Sequence, residues 1–396
     1  MSAATQAAVV PRRALAIRRA LLLGHRWVGL VLGLVLVLIG VTGSILSFQR
    51  EIDAALNPAL YRASGPADPA IGYAEILRRA EAATGRPAGT IRPPDAVWPV
   101  WVVSPPRQRG GPPAASAYFD PANGALLGER DSSGSFIAVS RQLHDTLLLR
   151  DWGGREAVGW LGVVTVLFSI TGIWLWWPKA GAFGAALVTI RRRPSVVFNL
   201  DLHRVVGIWM AVVLAVVGFS GVVIIFPQWF RPLVGVAAPA QPGPSPTILT
   251  PPPPTPPRRE PMTVDADAAA AAALAHLPGQ VVTGVLLPSR QRQAWQVTLR
   301  PAEGSTEVRA RSFVTIDPWS GAVTEERGPR TRSAGEEAIA MQRWLHGGAL
   351  LGWTGRLLVF ASGLAMPVLF VTGLAAWLLR RRNRRRLTSV RKGSPA

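Results

Sequence analysis

The chain has 396 residues, no cysteine and a formal net charge of +20. Without cysteine it has no disulfides, thiolate zinc sites, iron–sulfur clusters or covalently attached c-type haem. Its length alone would suggest two or three domains, but the apolar residues are gathered into long blocks, so a membrane protein is the first class to test.

Four apolar blocks are each about as long as the ~20 residues that cross the hydrocarbon core of a bilayer. Buried helices of a soluble protein are the alternative, but such helices seldom run so long without a charge. We therefore predict four membrane spans, at residues 25–48, 151–178, 203–226 and 346–379.

Basic residues cluster beside these spans rather than along the whole chain. A run of arginines also suits RNA, but next to a span it is more typical of a topology anchor on anionic lipid, so we predict no nucleic-acid partner. The positive-inside rule places residues 1–24, 179–202 and 380–396 in the cytoplasm. We thus predict a multi-pass protein of the bacterial inner membrane with both termini cytoplasmic and an uncleaved first span.

The remaining segments, residues 49–150 and 227–345, would face the periplasm. Residues 49–150 and 263–345 each contain a helical stretch, a strand and a strand that enters an Asp-Pro turn, and so predict two small α+β modules. Residues 227–262 are proline-rich and predict an extended linker. The predicted helices are 71–84 and 264–277, the strands 98–103 and 294–299, and the strand–turn segments 118–124 and 315–321.

The two halves of the chain repeat one pattern. Residues 25–29 read His-Arg-Trp-Val-Gly, and residues 203–207 read His-Arg-Val-Val-Gly. The predicted fold is therefore a membrane α-helical protein, with a four-helix transmembrane core from an internal duplication and two small periplasmic modules. Further matched pairs are Gly40–Gly43 with Gly218–Gly221, Leu143-His144 with Leu345-His346, and Thr171-Gly172 with Thr372-Gly373.

Four of the five histidines lie at equivalent ends of the spans. His25 and His203 lie at one level, near the cytoplasmic face, and His144 and His346 at a second level near the outer face. A haem iron takes two axial imidazoles from facing helices, so two levels predict two haems. A histidine that is only tolerated at the interface remains an alternative, as does a metal site without haem, although the apolar parts of the predicted spans contain no carboxylate to complete one.

Two arginines each follow a predicted ligand of the cytoplasmic level. Arg26 and Arg204 either pair with haem propionates, because guanidinium groups bind carboxylates bidentately, or anchor the topology. The fifth histidine, His276, stands at the end of a predicted helix in the second module. A helix cap or a plain surface residue is the expected role of His276.

The outer pair raises a geometric question. If the chain were straight and helical, His144 and His346 would lie ~15 to 20 Å before the charge-free part of their spans. Either the outer haem lies at or beyond the membrane interface, or the chain bends near Gly153-Gly154 and Gly347-Gly348 and folds back.

Three features of the chain are typical of one family: the duplicated His-Arg-x-Val-Gly spans, the Asp-Pro-x-(Asn/Ser)-Gly turns, and the order span, module, span, span, module, span. In these features the chain resembles the PepSY-associated transmembrane helix family over nearly its whole length. Members resemble iron-regulated membrane proteins, and some act as ferric-siderophore reductases with two b-type haems in a four-helix membrane core. The resemblance implies PepSY-like modules and a periplasmic acceptor, siderophore-bound iron. It implies as axial ligands His25, His144, His203 and His346.

Three functions follow from these patterns. The first is a haem-dependent oxidoreductase that takes electrons from a cytoplasmic reductase or quinol, since the chain has no Gly-x-Gly-x-x-Gly fingerprint for a nucleotide. The alternative is a membrane-anchored PepSY binding or regulatory protein, which interacts with a peptidase or the cell wall and has no redox activity. A transporter comes last, because the halves share one orientation and the apolar parts of the spans lack acidic residues.

Overall fold

The computed structural model of the chain describes residues 12–68, 70–106, 115–236, 261–289, 292–302 and 311–392. The chain divides into two compact units. The helical unit is drawn from Met1–Ser47, Arg141–Ile225 and Arg356–Ala396, and the sheet unit from Phe48–Ser140 and Phe226–Gly355. Most of the predicted linker, residues 237–260, lies outside the described residues.

The helices and strands follow the predicted order. The helices are α1 (Arg12–Ser47), α2 (Gln49–Leu56), α3 (Pro58–Tyr61), α4 (Tyr73–Thr84), α5 (Phe136–Thr146), α6 (Gly154–Trp176), α7 (Phe183–Val188), α8 (Ser195–Ile225), α9 (Pro227–Phe230), α10 (Ala266–His276), α11 (Ala334–His346) and α12 (Gly352–Lys392). The strands are β1 (Thr90–Arg92), β2 (Trp101–Ser104), β3 (Ser116–Phe119), β4 (Leu126–Arg130), β5 (Gln280–Leu286), β6 (Trp295–Pro301), β7 (Ser312–Ile316) and β8 (Val323–Arg327).

The prediction of four helices able to cross a membrane is confirmed. Within the described residues, α1, α6, α8 and α12 each contain a stretch long and apolar enough to span a bilayer. Three of them extend well past the apolar blocks: α8 begins at Ser195, while α1, which begins at Arg12, and α12, which ends at Lys392, extend into basic flanks. Arginine, alanine and leucine favour helix as strongly as any residues do, so a helix continues into a basic flank that hydropathy alone excludes.

Close backbone contacts join these helices in two pairs. A Cβ added at Gly363 of α12 would overlap the carbonyl oxygen of Gly40 and the hydroxyl of Ser44, both in α1. A Cβ added at Gly218 of α8 would lie 3.0 Å from the carbonyl oxygen of Gly162 in α6. Small residues let membrane helices approach this closely and gain packing energy where water supplies no hydrophobic drive.

The strands of both predicted modules form one antiparallel sheet in the order β4-β3-β2-β1-β5-β6-β7-β8. The order is symmetric about the central pair, in which Thr90 lies opposite Leu286 and Ile91 opposite Val285. The predicted helices and strands are thus present, but the two modules share a sheet. Each group of four strands alone would leave an edge of unpaired N–H and C=O groups, and pairing β1 with β5 removes that edge.

Helices α4 and α10 pack on this sheet and form the main core of the sheet unit. Ile76 of α4, Ala269 of α10, Ile91 of β1 and Val285 of β5 are fully buried there. The two helices are also tied by Asp267 in the first turn of α10. Its carboxylate accepts hydrogen bonds from the backbone N–H groups of residues 73 and 74, at 2.7 and 2.9 Å, and so caps the N-terminus of α4.

The Asp-Pro turns singled out in the sequence stabilise the strand ends. Asp120 is 2% exposed. Its carboxylate accepts hydrogen bonds from the backbone N–H groups of Ala122 and Ser64, each at 2.8 Å. Gly124 has a φ of 68°, which only glycine adopts without strain. Burial raises the pKa of the Asp120 carboxyl, but the hydrogen bonds from Ala122 and Ser64 outweigh it and hold the pKa below its ordinary value.

We expect Asp120→Ala to lower the free energy of unfolding of the sheet unit by about 2 kcal/mol, because it removes the acceptor of two part-buried backbone N–H groups. Since the folded-state pKa of Asp120 is depressed, its contribution is complete above the unfolded-state pKa near 4 and is lost as the pH falls towards the folded-state pKa. Tryptophan fluorescence during thermal unfolding of the full chain in detergent measures both effects. Asp68→Ala, which removes an exposed carboxylate bonded to the Ala70 N–H, is the control, and an equal loss there would contradict the expectation.

Candidate functional site

The structure brings together the two histidines predicted to lie at one level. His25 of α1 and His203 of α8 are half-buried, and their imidazole centroids are 6.4 Å apart with the ring planes at 83°. Two imidazoles that bind one metal from opposite sides, each through a nitrogen at about 2 Å, have centroids about 6 Å apart. The angle between the two ring planes does not change this centroid distance, so nearly perpendicular planes are compatible with a shared ligand position.

Each of these two rings is held from its Nδ1 side. Nδ1 of His25 lies 2.9 Å from the Thr171 hydroxyl in α6. Nδ1 of His203 lies 2.9 Å from the carbonyl oxygen of Leu369 and 3.2 Å from the Thr372 hydroxyl, both in α12. Both nitrogens engaged by the protein are Nδ1, which leaves Nε2 of each ring for another partner.

The same arrangement recurs at a third histidine. Nδ1 of His144 in α5 lies 3.0 Å from the carbonyl oxygen of Ile39 and 3.3 Å from the hydroxyl of Thr42, both in α1. Burial lowers the pKa of the His144 imidazole below its ordinary value, which favours the neutral ring that a metal requires.

A glycine follows the threonine in all three places, and we call these the Thr-Gly pairs: Thr171-Gly172, Thr372-Gly373 and Thr42-Gly43. A Cβ added at Gly172 would lie 3.7 Å from Cε1 of His25, and one at Gly373 would lie 3.6 Å from Cε1 of His203. At Gly43 the corresponding distance to His144 Cε1 is 3.0 Å, tighter than an ordinary contact. Each ring therefore lies directly against the helix that carries its Thr-Gly pair.

The position of His144 answers the geometric question for the first half of the chain. Helix α5 ends at Thr146, and Leu147, Leu148 and Gly153 then adopt positive φ angles of 52°, 62° and 75° before α6 begins. His144 lies beside residues 39–43, which are inside the candidate span of α1. The chain thus bends before α6, and His144 does not continue outward along the axis of that helix.

The fourth predicted ligand lies in the other unit. His346 is the last residue of α11, is half-buried and precedes a turn in which Gly348 has a φ of 76°. Its pairing with His144 stays a prediction.

The two arginines next to the inner histidines differ in environment. Among the described side chains, Arg26 has a buried Nε with no hydrogen-bond partner, and its guanidinium carbon lies 5.3 Å from the centroid of the Trp27 ring. A buried donor without an acceptor is costly and calls for an anion or another acceptor in its place. Arg204 is exposed on α8. Of the two arginines predicted to bind a propionate, only Arg26 thus has a buried donor that lacks an acceptor among the described residues.

The carboxylate closest in sequence to His203 is already engaged. Asp201, two residues before His203, is buried, and both its oxygens accept hydrogen bonds from the Arg191 guanidinium at 2.8 and 2.9 Å. Within the described part of the chain, no three His, Cys, Asp or Glu side chains come together as a metal-binding group. His25 and His203 therefore form a pair of imidazoles without a third ligand beside them among the described residues, a donor set that suits the two axial positions of haem better than a four-ligand ion site.

The fifth histidine behaves as the sequence predicts. His276 ends α10, is partly exposed, and its Nε2 lies 2.9 Å from a carboxylate oxygen of Glu326. His276 thus has a surface role in the sheet unit.

The sequence singled out the histidines as candidate ligands but not the threonines beside them. Thr171 and Thr372 were recognised only as matched residues of the repeat, and Thr42 only as part of Gly40–Gly43. Their shared spacing was the available signal, since each precedes a glycine at an equivalent place within an apolar span.

Comparison with curated proteins gives no match. The model of the family described as PepSY-associated TM region matches residues 22–380, a range that contains all four candidate histidine ligands. The resemblance drawn from the order of the motifs is thereby confirmed. With nearly the whole chain matched, the protein belongs to the PepSY-associated TM region family.

Proposed function

We propose that this protein is a haem-dependent oxidoreductase of the bacterial inner membrane. It carries electrons from a cytoplasmic reductase or quinol to a periplasmic acceptor, and that acceptor is ferric siderophore. The proposal rests above all on the His25–His203 pair, whose ring centroids lie 6.4 Å apart with both Nδ1 atoms held by neighbouring helices.

His25 and His203 would hold one non-covalent b-type haem, and His144 and His346 a second. Haem supplies one-electron redox chemistry when bound, and the protein supplies ligation, position and the surrounding field. His25 and His203 lie on apolar helices, and Phe168 packs on the His25 ring at 4.8 Å between centroids. Such surroundings keep a metal-bound imidazole from exchanging with solvent.

Arg26 would bind a haem propionate. Its buried, unpartnered Nε needs an acceptor, and a carboxylate pairs with guanidinium through short charge-assisted hydrogen bonds. Arg204 would serve a propionate from the exposed side of α8, where its contribution is weaker because water screens the pair.

The proposed orientation follows from charge. Basic residues precede α1, lie between α6 and α8, and fill the end of α12, so these three regions would be cytoplasmic. Residues 49–150 and 227–345 would then form PepSY-like modules in the periplasm. The symmetric strand order and the two matched glycine contacts, Gly40 with Gly363 and Gly218 with Gly162, support an internal duplication as the origin of the fold.

A ferric-siderophore acceptor is supported by the family resemblance and by the chemistry of iron. Hard oxygen ligands hold Fe(III) more tightly than Fe(II), so reduction in the periplasm releases the iron. The chain has no nucleotide fingerprint, so we propose that a separate cytoplasmic reductase, or membrane quinol, provides the electrons.

The optical spectrum of the detergent-purified protein, before and after dithionite, tests the proposal. Protein from haem-replete cells is expected to show low-spin bis-imidazole bands, with about two haems per chain, because four imidazoles serve two irons. Ferric siderophore added to the reduced protein is expected to restore the oxidised spectrum.

A colourless preparation would overturn the proposal and favour the binding or regulatory function, in which the helices only anchor the sheet unit. A coloured protein that stays reduced in the presence of ferric siderophore would retain the haem assignment and reject the acceptor.

A further inference from the structure

We propose that Thr171 is a positioning residue for His25. Its hydroxyl fixes the proton of the imidazole on Nδ1 and so directs the Nε2 lone pair towards the iron. Thr372 and Thr42 act in the same way on His203 and His144, but with a second acceptor beside them. The inference rests on the proposed haem function and specifies how the protein controls the ligand.

The direction of the hydrogen bond follows from where the threonine proton goes. A hydroxyl has one proton to donate. Thr171 Oγ1 lies 2.7 Å from the carbonyl oxygen of Leu167 one turn earlier, so its proton is engaged within α6. The hydroxyl oxygen then has only lone pairs to offer His25, and Nδ1 must carry the hydrogen.

The other two Thr-Gly pairs repeat this geometry. Thr372 Oγ1 lies 2.6 Å from the carbonyl oxygen of Val368, and Thr42 Oγ1 lies 2.7 Å from that of Leu38. Threonine often bonds to the carbonyl four residues earlier in a helix, which by itself has only a local effect. In all three places, however, an imidazole Nδ1 lies near the same hydroxyl oxygen. The common bond within the helix therefore also determines how the threonine interacts with the histidine.

The three histidines differ in how much they depend on threonine. Nδ1 of His203 and of His144 each has a backbone carbonyl oxygen nearby, at 2.9 and 3.0 Å. Among the described residues, His25 Nδ1 has the Thr171 hydroxyl as its hydrogen-bond acceptor and no carbonyl. Removing the hydroxyl therefore leaves His25 with no acceptor, whereas His203 keeps Leu369.

Control of Nδ1 matters because the second nitrogen of a ligating imidazole sets both its orientation and its basicity. A donor bond from Nδ1 makes Nε2 a stronger ligand and favours ferric over ferrous iron. Without it the ring is free to flip or to place its proton on Nε2, the nitrogen that the metal needs. Loss of such a partner typically lowers the affinity of a protein for its metal by about one to two orders of magnitude.

The test compares Thr171→Val, which keeps the shape but removes the hydroxyl, with Thr171→Ser, which keeps the hydroxyl, and with Thr372→Val. In full-length protein in detergent, Thr171→Val is expected to lose one haem to apomyoglobin about tenfold faster than wild type. It is also expected to shift the low-spin ferric EPR signal of that haem and raise its midpoint potential. Thr171→Ser should match wild type, and Thr372→Val should change little because Leu369 remains.

Wild-type behaviour of Thr171→Val in all three measurements would overturn the inference, as would equal effects from Thr171→Val and Thr372→Val. The histidine tautomers of the haem-free protein provide a second, independent test. The chain has only five histidines, so ¹⁵N-histidine labelling resolves their tautomers. His25 is expected as the Nδ1–H tautomer in wild type and as a mixture in Thr171→Val. A wild-type His25 with its proton on Nε2 would reject the role of Thr171, whereas a wild-type chain that never binds haem would reject the proposed function alone.

Discussion

His25→Ala and His203→Ala are each expected to remove the same haem and to leave the other bound, so that about one haem per chain remains in either variant. The reason is geometric: the two rings lie 6.4 Å apart, each anchored through Nδ1, and a haem left with one imidazole loses half of its axial ligation. His144→Ala and His346→Ala are expected to remove the other haem. Pyridine haemochrome quantification, with EPR to identify the signal that disappears, measures the result.

His276→Ala is the matched control. It removes an imidazole that contacts Glu326 in the sheet unit, and both haems should stay. The double variant His25→Ala/His203→Ala should retain about as much haem as either single variant, because both residues serve one site. If His25→Ala kept both haems, or if the double variant lost twice as much as the single ones, the pairing of His25 with His203 would be wrong.

The helices and their histidines were predictable because they depend on short-range patterns. About twenty apolar residues predict a span, and a repeated His-Arg-x-Val-Gly start predicts that His25 and His203 lie at equal depth in two helices with the same direction. Equal depth is what allows the two rings to meet. The strands of the sheet unit could equally be predicted, since β-branched and aromatic residues and an Asp-Pro turn mark them locally.

Other features depend on contacts that no local pattern determines. The bend that brings His144 to α1 uses positive φ angles at Leu147 and Leu148, a conformation that leucine rarely adopts and that its neighbours must impose. The contact of His25 with Thr171 depends on how α6 is rotated about its axis, and the pairing of β1 with β5 joins residues almost 200 positions apart. Periodicity shows which faces are apolar but not which face meets which partner.

The two interhelical glycine contacts show how the helices keep the histidines in place. Gly40 and Gly363 fix α1 against α12, which carry His25 and the Thr372-Gly373 pair. Gly162 and Gly218 fix α6 against α8, which carry the Thr171-Gly172 pair and His203. Each histidine and its acceptor thus lie on opposite helix pairs, so both contacts must hold for the two rings to stay 6.4 Å apart.

Gly363→Ala is therefore expected to cost about 2 kcal/mol of stability, because the new Cβ would overlap the Gly40 carbonyl oxygen and the backbone cannot move away as a flexible side chain does. Gly218→Ala, whose Cβ would lie 3.0 Å from the Gly162 carbonyl oxygen, should cost less. Gly24→Ala in α1, where a Cβ meets no atom within 4 Å, should be neutral or slightly stabilising because alanine favours helix over glycine. The melting temperature in detergent should be highest for Gly24→Ala, lower for Gly218→Ala and lowest for Gly363→Ala. A Gly363→Ala protein as stable as the Gly24→Ala protein would show that α1 and α12 do not approach as closely as this structure has them.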